Sequence, residues 1–232
     1  MSLNRALLLP ILCYHKVSDA PEDGRWLNVS TQTLRAHVRF FARRGYRFAL
    51  SDELAKGIPA HSVCLTFDDC YASTMANAPA ILSDLGAKGI FFAVPGRVGG
   101  TSDWDGDRAA PLAGWSGLEL AAAKGMEIAN HTMNHIHLNE ADVAEQNAEI
   151  AEAKQELAAR GFGSVGFCYP YGHYNQDSLA ALRAQGYKVA YAVAKRPATE
   201  VDPRLELPRI VIAYSDNLAK LLYKIFLRPK LP

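Results

Sequence analysis

One phrase recurs along this chain and restricts the folds open to it: an amphipathic stretch, a glycine, then a short apolar run. It reads Phe41-Ala42-Arg43-Arg44-Gly45 before residues 46–50, and Leu82-Ser83-Asp84-Leu85-Gly86 before residues 89–94. It returns at residues 120–124 with Gly125 before 126–129, around Gly161 before 165–169, and around Gly186 before 188–194. Glycine just past a helix takes a left-handed conformation at little steric cost, so each one marks a helix end. Apolar strands alternating with helices predict βα units and a parallel sheet. Adding residues 7–14, 62–67 and 207–212 makes seven or eight strands, which favours an α/β barrel over an open sheet.

A chain of 232 residues suits one such barrel, and no Pro/Gly/Ser linker divides it, so residues 1–232 read as a single domain. Hydrophobic residues make up 49% and charged residues 21%, as in ordinary globular proteins. A formal net charge of +1 leaves no electrostatic footprint for nucleic acid. Cys13, Cys64 and Cys168 lie in apolar runs, where reduced cysteine acts as a small hydrophobe. Arg5 and the apolar residues 6–12 have the outline of a leader peptide. No small-residue cleavage site follows and His15-Lys16 arrive at once, so the segment reads as a first strand. No apolar run approaches the ~18 residues of a membrane span, and the expectation is a cytoplasmic protein.

Thr66-Phe67-Asp68-Asp69 closes one of the apolar runs, so two adjacent carboxylates stand where a buried strand ends. Paired aspartates resist burial unless a cation or a shared proton offsets their repulsion. His131-Thr132-Met133-Asn134-His135 follows another run, Tyr169-Pro170-Tyr171-Gly172 a third, and His15 the first. In a parallel barrel the C-terminal strand ends share one face, and that face carries the active site. Two histidines four apart can share a metal from a helical turn or a tight loop. With no glutamate after His131 this is not the H-E-x-x-H helix, so a base must come from the aspartate pair. Two imidazoles and one carboxylate leave positions on zinc for water and a substrate oxygen.

These motifs, T-F-D-D at 66–69, H-T-x-x-H at 131–135 and Y-P-Y-G at 169–172, occur in the order of one known group. The chain resembles the polysaccharide deacetylases of carbohydrate esterase family 4, the NodB-homology group, over most of its length. The resemblance implies a TIM-like distorted (β/α) barrel with seven or eight parallel strands. It also implies a metal-dependent hydrolase that removes N-acetyl groups from amino sugars. Asp68 resembles the catalytic base. Asp69, His131 and His135 resemble the ligands of a divalent metal, zinc foremost, with cobalt, nickel or manganese as other occupants. The backbone N–H of Tyr171 resembles the oxyanion donor.

Two positions depart from the pattern. Cys168 stands where many members carry an arginine that pairs with the catalytic aspartate, and no histidine follows His173 to protonate the leaving amine. The first strand, Ile11-Leu12-Cys13-Tyr14-His15, resembles a circularly permuted subgroup that includes enzymes acting on poly-N-acetylglucosamine, which makes His15 the candidate acid. Arg209 is a candidate partner for Asp68, but its place near the start of its strand sets it away from the active face. Trp104, Trp115, Tyr171 and Tyr174 are aromatics that can meet sugar rings. His137 reads as packing beside the metal site, and His37 and His61 as ordinary helix and loop histidines. The long irregular stretch 95–114, with Asp103-Trp104-Asp105-Gly106-Asp107, is the length of a functional loop.

Other readings keep the fold and change the chemistry. One is a deformylase or deacetylase of a small or lipid-linked amide sugar. Another is a glycan-binding pseudoenzyme that has lost turnover. Val143, Ile150 and Leu157 have heptad spacing, read as one face packed on the barrel. Leu218, Leu221, Leu222 and Ile225 form the apolar face of a last helix. It reads as docked on the barrel, with contact to a membrane surface as the alternative. No helix face is apolar enough to set an oligomeric state.

Overall fold

All six residues of the run Ser62–Phe67 are buried, as a strand covered on both faces requires. The computed structural model describes residues 8–20 and 26–228. Arg5 and Leu7, in the opening stretch weighed as a leader, lie outside the described residues. The main sheet comprises β1 (Ile11–Tyr14), β2 (Arg47–Phe48), β3 (Ser62–Phe67), β4 (Ile90–Ala93), β5 (Glu127–Asn130), β6 (Gly166–Cys168), β7 (Val189–Tyr191) and β8 (Ile210–Val211). Every pairing among them is parallel. The order is β7-β6-β5-β4-β3-β1-β8, with β2 paired to the start of β3. The two ends of this path meet through isolated parallel bridges from Tyr191 to Leu207 and from Ala194 to Ile210. The sheet therefore curls into a distorted (β/α) barrel whose seam is held by bridges in place of a full ladder.

Helices α1 (Thr31–Arg43), α2 (Ser51–Lys56), α3 (Ala72–Asp84), α4 (Trp115–Ala123), α5 (Val143–Ala159), α6 (Gln176–Ala184) and α7 (Leu218–Leu222) connect or flank the strands. Five of them end as the sequence predicts: Gly45, Gly86, Gly125, Gly161 and Gly186 all have positive φ, between 64° and 83°. On α5, Ile150 and Leu157 are buried against the barrel as expected, while Val143, at the first residue of the helix, is 52% exposed and does not share that face. Leu221 and Ile225 dock the last helix on the core, while Phe226 and Leu227 stay exposed. Among the described residues no helix is long and apolar enough to cross a membrane.

Strand alternation divides the core into two layers. Ile11, Cys64, Ile90, Phe92, Ala129, Cys168, Val189 and Tyr191 pack together inside the barrel. Leu12, Leu65, Phe67 and Phe91 pack outward against Val38 and Phe41 of α1, Leu82 of α3 and Leu118 of α4. Successive strand residues point to opposite faces, so neighbours such as Phe91 and Phe92 enter different layers.

His37 of α1 is fully buried in the outer layer, with Nδ1 3.0 Å from the Tyr14 hydroxyl. Burial pulls its imidazole down to about 4, against the smaller opposing pull of Asp216. An unfolded histidine titrates near ~6.5, so between those values the unfolded chain binds a proton that the folded one refuses. Stability is thus complete above the unfolded value and falls as pH drops toward 4, by about 3 kcal/mol from this group. Urea midpoints near pH 7.5 and pH 4.5 are expected to differ less in His37→Gln than in the wild type. An equal drop in both proteins would mean that His37 does not titrate this way.

Candidate active site

Strand β3 runs directly into Asp68 and Asp69, where the chain turns sharply: Asp69 and Cys70 have φ of 69° and 53°. A β-carbon disfavours that region, so surrounding bonds must hold the turn. The Asp68 N–H donates to the Tyr14 carbonyl at 2.9 Å, and the Ala113 N–H donates to that of Cys70 at 3.0 Å. The histidine segment after β5 is a tight loop and no helix, with φ of 66° at Thr132 and 61° at His135. Asn130 Oδ1 accepts from the Thr132 N–H at 2.7 Å, and Thr132 Oγ1 from the His135 N–H at 3.0 Å. Glu149 of α5 accepts from the Asn134 N–H at 2.8 Å and from its side-chain amide at 2.7 Å. Gly96 closes the other side: a Cβ there would stand 2.6 Å from the Met133 carbonyl oxygen.

These two turns bring Asp69 Oδ1 to 3.4 Å from His131 Nε2 and 3.2 Å from His135 Nε2, with all three side chains buried. His131 Nδ1 lies 2.8 Å from the Cys168 carbonyl oxygen. A carbonyl only accepts, so Nδ1 carries the proton and the Nε2 lone pair faces Asp69. Asp69 Oδ1 itself meets no hydrogen-bond donor among the described residues, although it is buried. Burial pushes the Asp69 carboxyl up, but the attraction of the His135 and His131 rings, in the form that carries a proton toward Asp69, outweighs it and holds the group well below the usual carboxylate range. Burial in turn lowers His135. An anionic oxygen and two imidazole nitrogens converging on one point are a donor set that fits zinc or a similar divalent ion.

Asp68, beside this set, is engaged by Arg209. Nη1 donates to Asp68 Oδ1 at 2.7 Å and Nη2 to Oδ2 at 2.8 Å, a bidentate pair in which the arginine is fully buried. Arg209 also donates to Thr66 Oγ1 and to the Ala192 carbonyl, each at 3.1 Å. Burial raises the Asp68 carboxyl, yet the arginine's charge and hydrogen bonds outweigh it and bring it down to about 2.

This corrects the expectation that Arg209 sits away from the active face. Its backbone does lie low: Ile210 is level with Leu12, and Leu12 with Leu65. The long side chain then climbs the barrel interior to Asp68. The departure at Cys168 is resolved in space, because Arg209 Nη2 lies 3.1 Å from Cys168 Sγ. The thiols of Cys13 and Cys168 approach Asp68 Oδ2 at 3.4 and 3.7 Å. The signal for Arg209 was present: a lone cation inside Leu207-Pro208-Arg209-Ile210-Val211 needs an acidic partner once buried.

His15 stands on the cleft wall, its Nε2 3.9 Å from Asp68 Oδ2 and its side chain 17% exposed. Tyr171, at φ 59°, belongs to the turn Pro170–Gly172. Its ring stacks on His137 at 3.7 Å and meets the ring of His135 edge-on at 4.7 Å. Gly172 is required there, since a Cβ would stand 2.7 Å from the Val193 nitrogen. Trp104 lies flat on His135, with ring centres 4.1 Å apart at 20°. His15, Asp68, Asp69, Trp104, His131, His135 and Tyr171 thus line one cleft of about 450 Å³.

Tyr174 does not join them. Its hydroxyl donates to Glu206 at 2.8 Å and its ring stacks on Tyr169 at 4.5 Å, which turns it into the packing beside α6. Trp115 packs against the core, with the Arg160 guanidinium 4.1 Å from its ring. The sequence reading missed Trp26, which lines the cleft mouth half exposed, with the Arg108 guanidinium 4.9 Å from its ring. Its one signal was a tryptophan standing alone in the polar stretch before α1.

Comparison with known proteins identifies the family and the fold. The family model described as polysaccharide deacetylase matches residues 55–190. YxkH of Bacillus subtilis (strain 168) is 25% identical over 213 residues, 88% of this chain and 71% of that protein. The poly-beta-1,6-N-acetyl-D-glucosamine N-deacetylase of Escherichia coli (strain K12) is 26% identical over 257 residues; the match takes in 92% of this chain but 38% of that protein. The Streptococcus pyogenes deacetylase PplD, solved in complex with acetate, superposes with a TM-score of 0.82 at 25% identity, covering 94% of this chain and 98% of that one. IcaB from Ammonifex degensii shares the fold, with a TM-score of 0.77 at 21% identity over 92% of this chain and 95% of that one. The family match spans more than half the sequence and contains Asp68, Asp69, His131, His135 and Tyr171; the chain belongs to the polysaccharide deacetylase family.

Proposed function

We propose that this protein is a metal-dependent N-deacetylase that removes acetyl groups from the N-acetylated amino sugars of a glycan. One observation carries the reading: Asp69 Oδ1 converges with two imidazole nitrogens while the adjacent Asp68 is separately held by Arg209. The two carboxylates therefore have different tasks. Asp69, His131 and His135 would hold a divalent ion, which when bound supplies Lewis acidity toward water and the acetamide carbonyl.

The remaining steps belong to the chain's own groups. Asp68 is ionised at neutral pH because Arg209 opposes its protonation, and it takes the proton of the attacking water. The Tyr171 N–H donates to the carbonyl oxygen as that oxygen gains charge. His15, on the cleft wall 3.9 Å from Asp68, delivers a proton to the departing amine. The acyl carbon–nitrogen bond breaks, leaving acetate and a free amino sugar.

N-Acetylglucosamine oligomers are the first substrates to assay, since a relative is named for that polymer. Acetate release is expected, with loss on chelation and recovery on adding zinc or cobalt. Metal and glycan binding without release from any amide sugar would favour a binding module; formate release from formamido sugars alone would move the substrate class. His15→Ala is expected to lower kcat by ~10²-fold or more with metal content unchanged. Wild-type turnover in that variant would remove His15 from the mechanism.

A further inference from the structure

Metal-ligating histidines are usually oriented through their second ring nitrogen, as His131 is by the Cys168 carbonyl. His135 differs. Its Nδ1 is buried and meets no hydrogen-bond partner among the described residues. Its ring is held by aromatic faces, with Trp104 flat against it at 4.1 Å and Tyr171 edge-on at 4.7 Å. The question is then what fixes Trp104, which sits in the long loop of residues 95–114 within the 3-10 turn Asp103–Arg108.

The next residue supplies the answer. Asp105 Oδ2 accepts from the Tyr71 hydroxyl at 2.6 Å, from Ser102 Oγ at 2.8 Å and from the Lys16 ammonium at 3.4 Å. Lys16 and Tyr71 are both 2% exposed, and the Lys16 ammonium lies 4.5 Å from the Tyr71 ring centre. Lys16 directly follows His15, and Tyr71 is two residues past Asp69. One carboxylate oxygen therefore ties the loop to the two segments that carry His15 and Asp69.

We propose that Asp105 is a positioning residue: by anchoring the loop to Lys16 and Tyr71 it seats Trp104 on His135, and this stacking takes the place of the missing Nδ1 hydrogen bond. The proposal rests on His135 being a metal ligand. Removing the carboxylate would leave the buried Tyr71 hydroxyl and Lys16 ammonium without that acceptor; the loop would keep its backbone bonds beside Cys70 and Tyr71 but lose its tie to Lys16 on the His15 side.

The test uses the full chain as wild type, Asp105→Ala, Asp105→Asn and Trp104→Phe. The first readout is acrylamide quenching of the Trp104 emission in metal-free protein, isolated by difference from Trp104→Phe. The second is the zinc dissociation constant, measured by competition with a chromogenic chelator. Asp105→Ala is expected to raise the accessibility of Trp104 severalfold and to weaken zinc binding about tenfold. Asp105→Asn keeps an acceptor oxygen and is expected to retain most of both. Should Asp105→Ala not fold, Ser102→Ala, which removes one of the three donors, is expected to shift both readouts in the same direction by less. Trp104 as shielded as in the wild type, with zinc affinity unchanged, would overturn the proposal. Wild-type protein that binds no zinc would defeat the ligand assignment, on which the proposal depends; the metal-free quenching would still report whether Asp105 seats Trp104.

Discussion

Asp68→Asn is expected to lower kcat for acetate release by ~10²- to 10⁴-fold, the range for removing a general base, while the metal stays bound. Asparagine matches aspartate in shape and keeps one acceptor oxygen for Arg209, although its amide nitrogen faces the second guanidinium N–H and the buried arginine loses its counter-charge. What the substitution removes for catalysis is basicity. Asp68 is not among the converging donors of Asp69, His131 and His135, so metal content provides an internal control. A parallel loss of metal would instead make Asp68 a ligand. Turnover near wild type would move the base elsewhere.

The second large effect is on stability. Arg209→Met is expected to destabilise the protein by about 3–5 kcal/mol, because it leaves Asp68 as a buried carboxylate without its partner. Both Asp68 oxygens are engaged by the guanidinium, at 2.7 and 2.8 Å, and the residue is only 3% exposed. The carboxyl can escape the penalty only by taking up a proton, so turnover near neutral pH is expected to fall as well. The double variant Asp68→Asn/Arg209→Met removes both charges. It is expected to recover much of the lost stability, a coupling between touching residues, yet none of the turnover. Urea unfolding of the four proteins measures the coupling. Additive losses would mean that the pair is not an energetic unit.

Much of this was legible in the sequence, for local reasons. Helix-ending glycines and apolar runs are short-range signals, and they located the strands to within a few residues. Asp68-Asp69, His131 and His135 were legible because a parallel barrel gathers its strand ends on one face. Arg209 was misjudged since periodicity locates a strand but not the distance a long side chain can climb inside the curled sheet. Tyr174 was offered to the cleft only as an aromatic able to stack on a sugar ring; its bond to Glu206 and its stack on Tyr169 engage that ring elsewhere. Asp105 was legible only as part of the long loop, and its partner was out of reach for another reason. The Asp105 bond to Lys16 joins residues 89 positions apart, and no pattern within either segment announces such a contact.

The central claim is that Asp69, His131 and His135 hold one divalent ion beside an independent base. Anomalous scattering from crystals grown with zinc or cobalt tests it most directly. The predicted result is one peak per chain within bonding distance of Asp69 Oδ1, His131 Nε2 and His135 Nε2, with Asp68 still paired to Arg209. An enzyme that releases acetate in the same crystals with no peak at those three atoms, or with its only peak elsewhere, would contradict it.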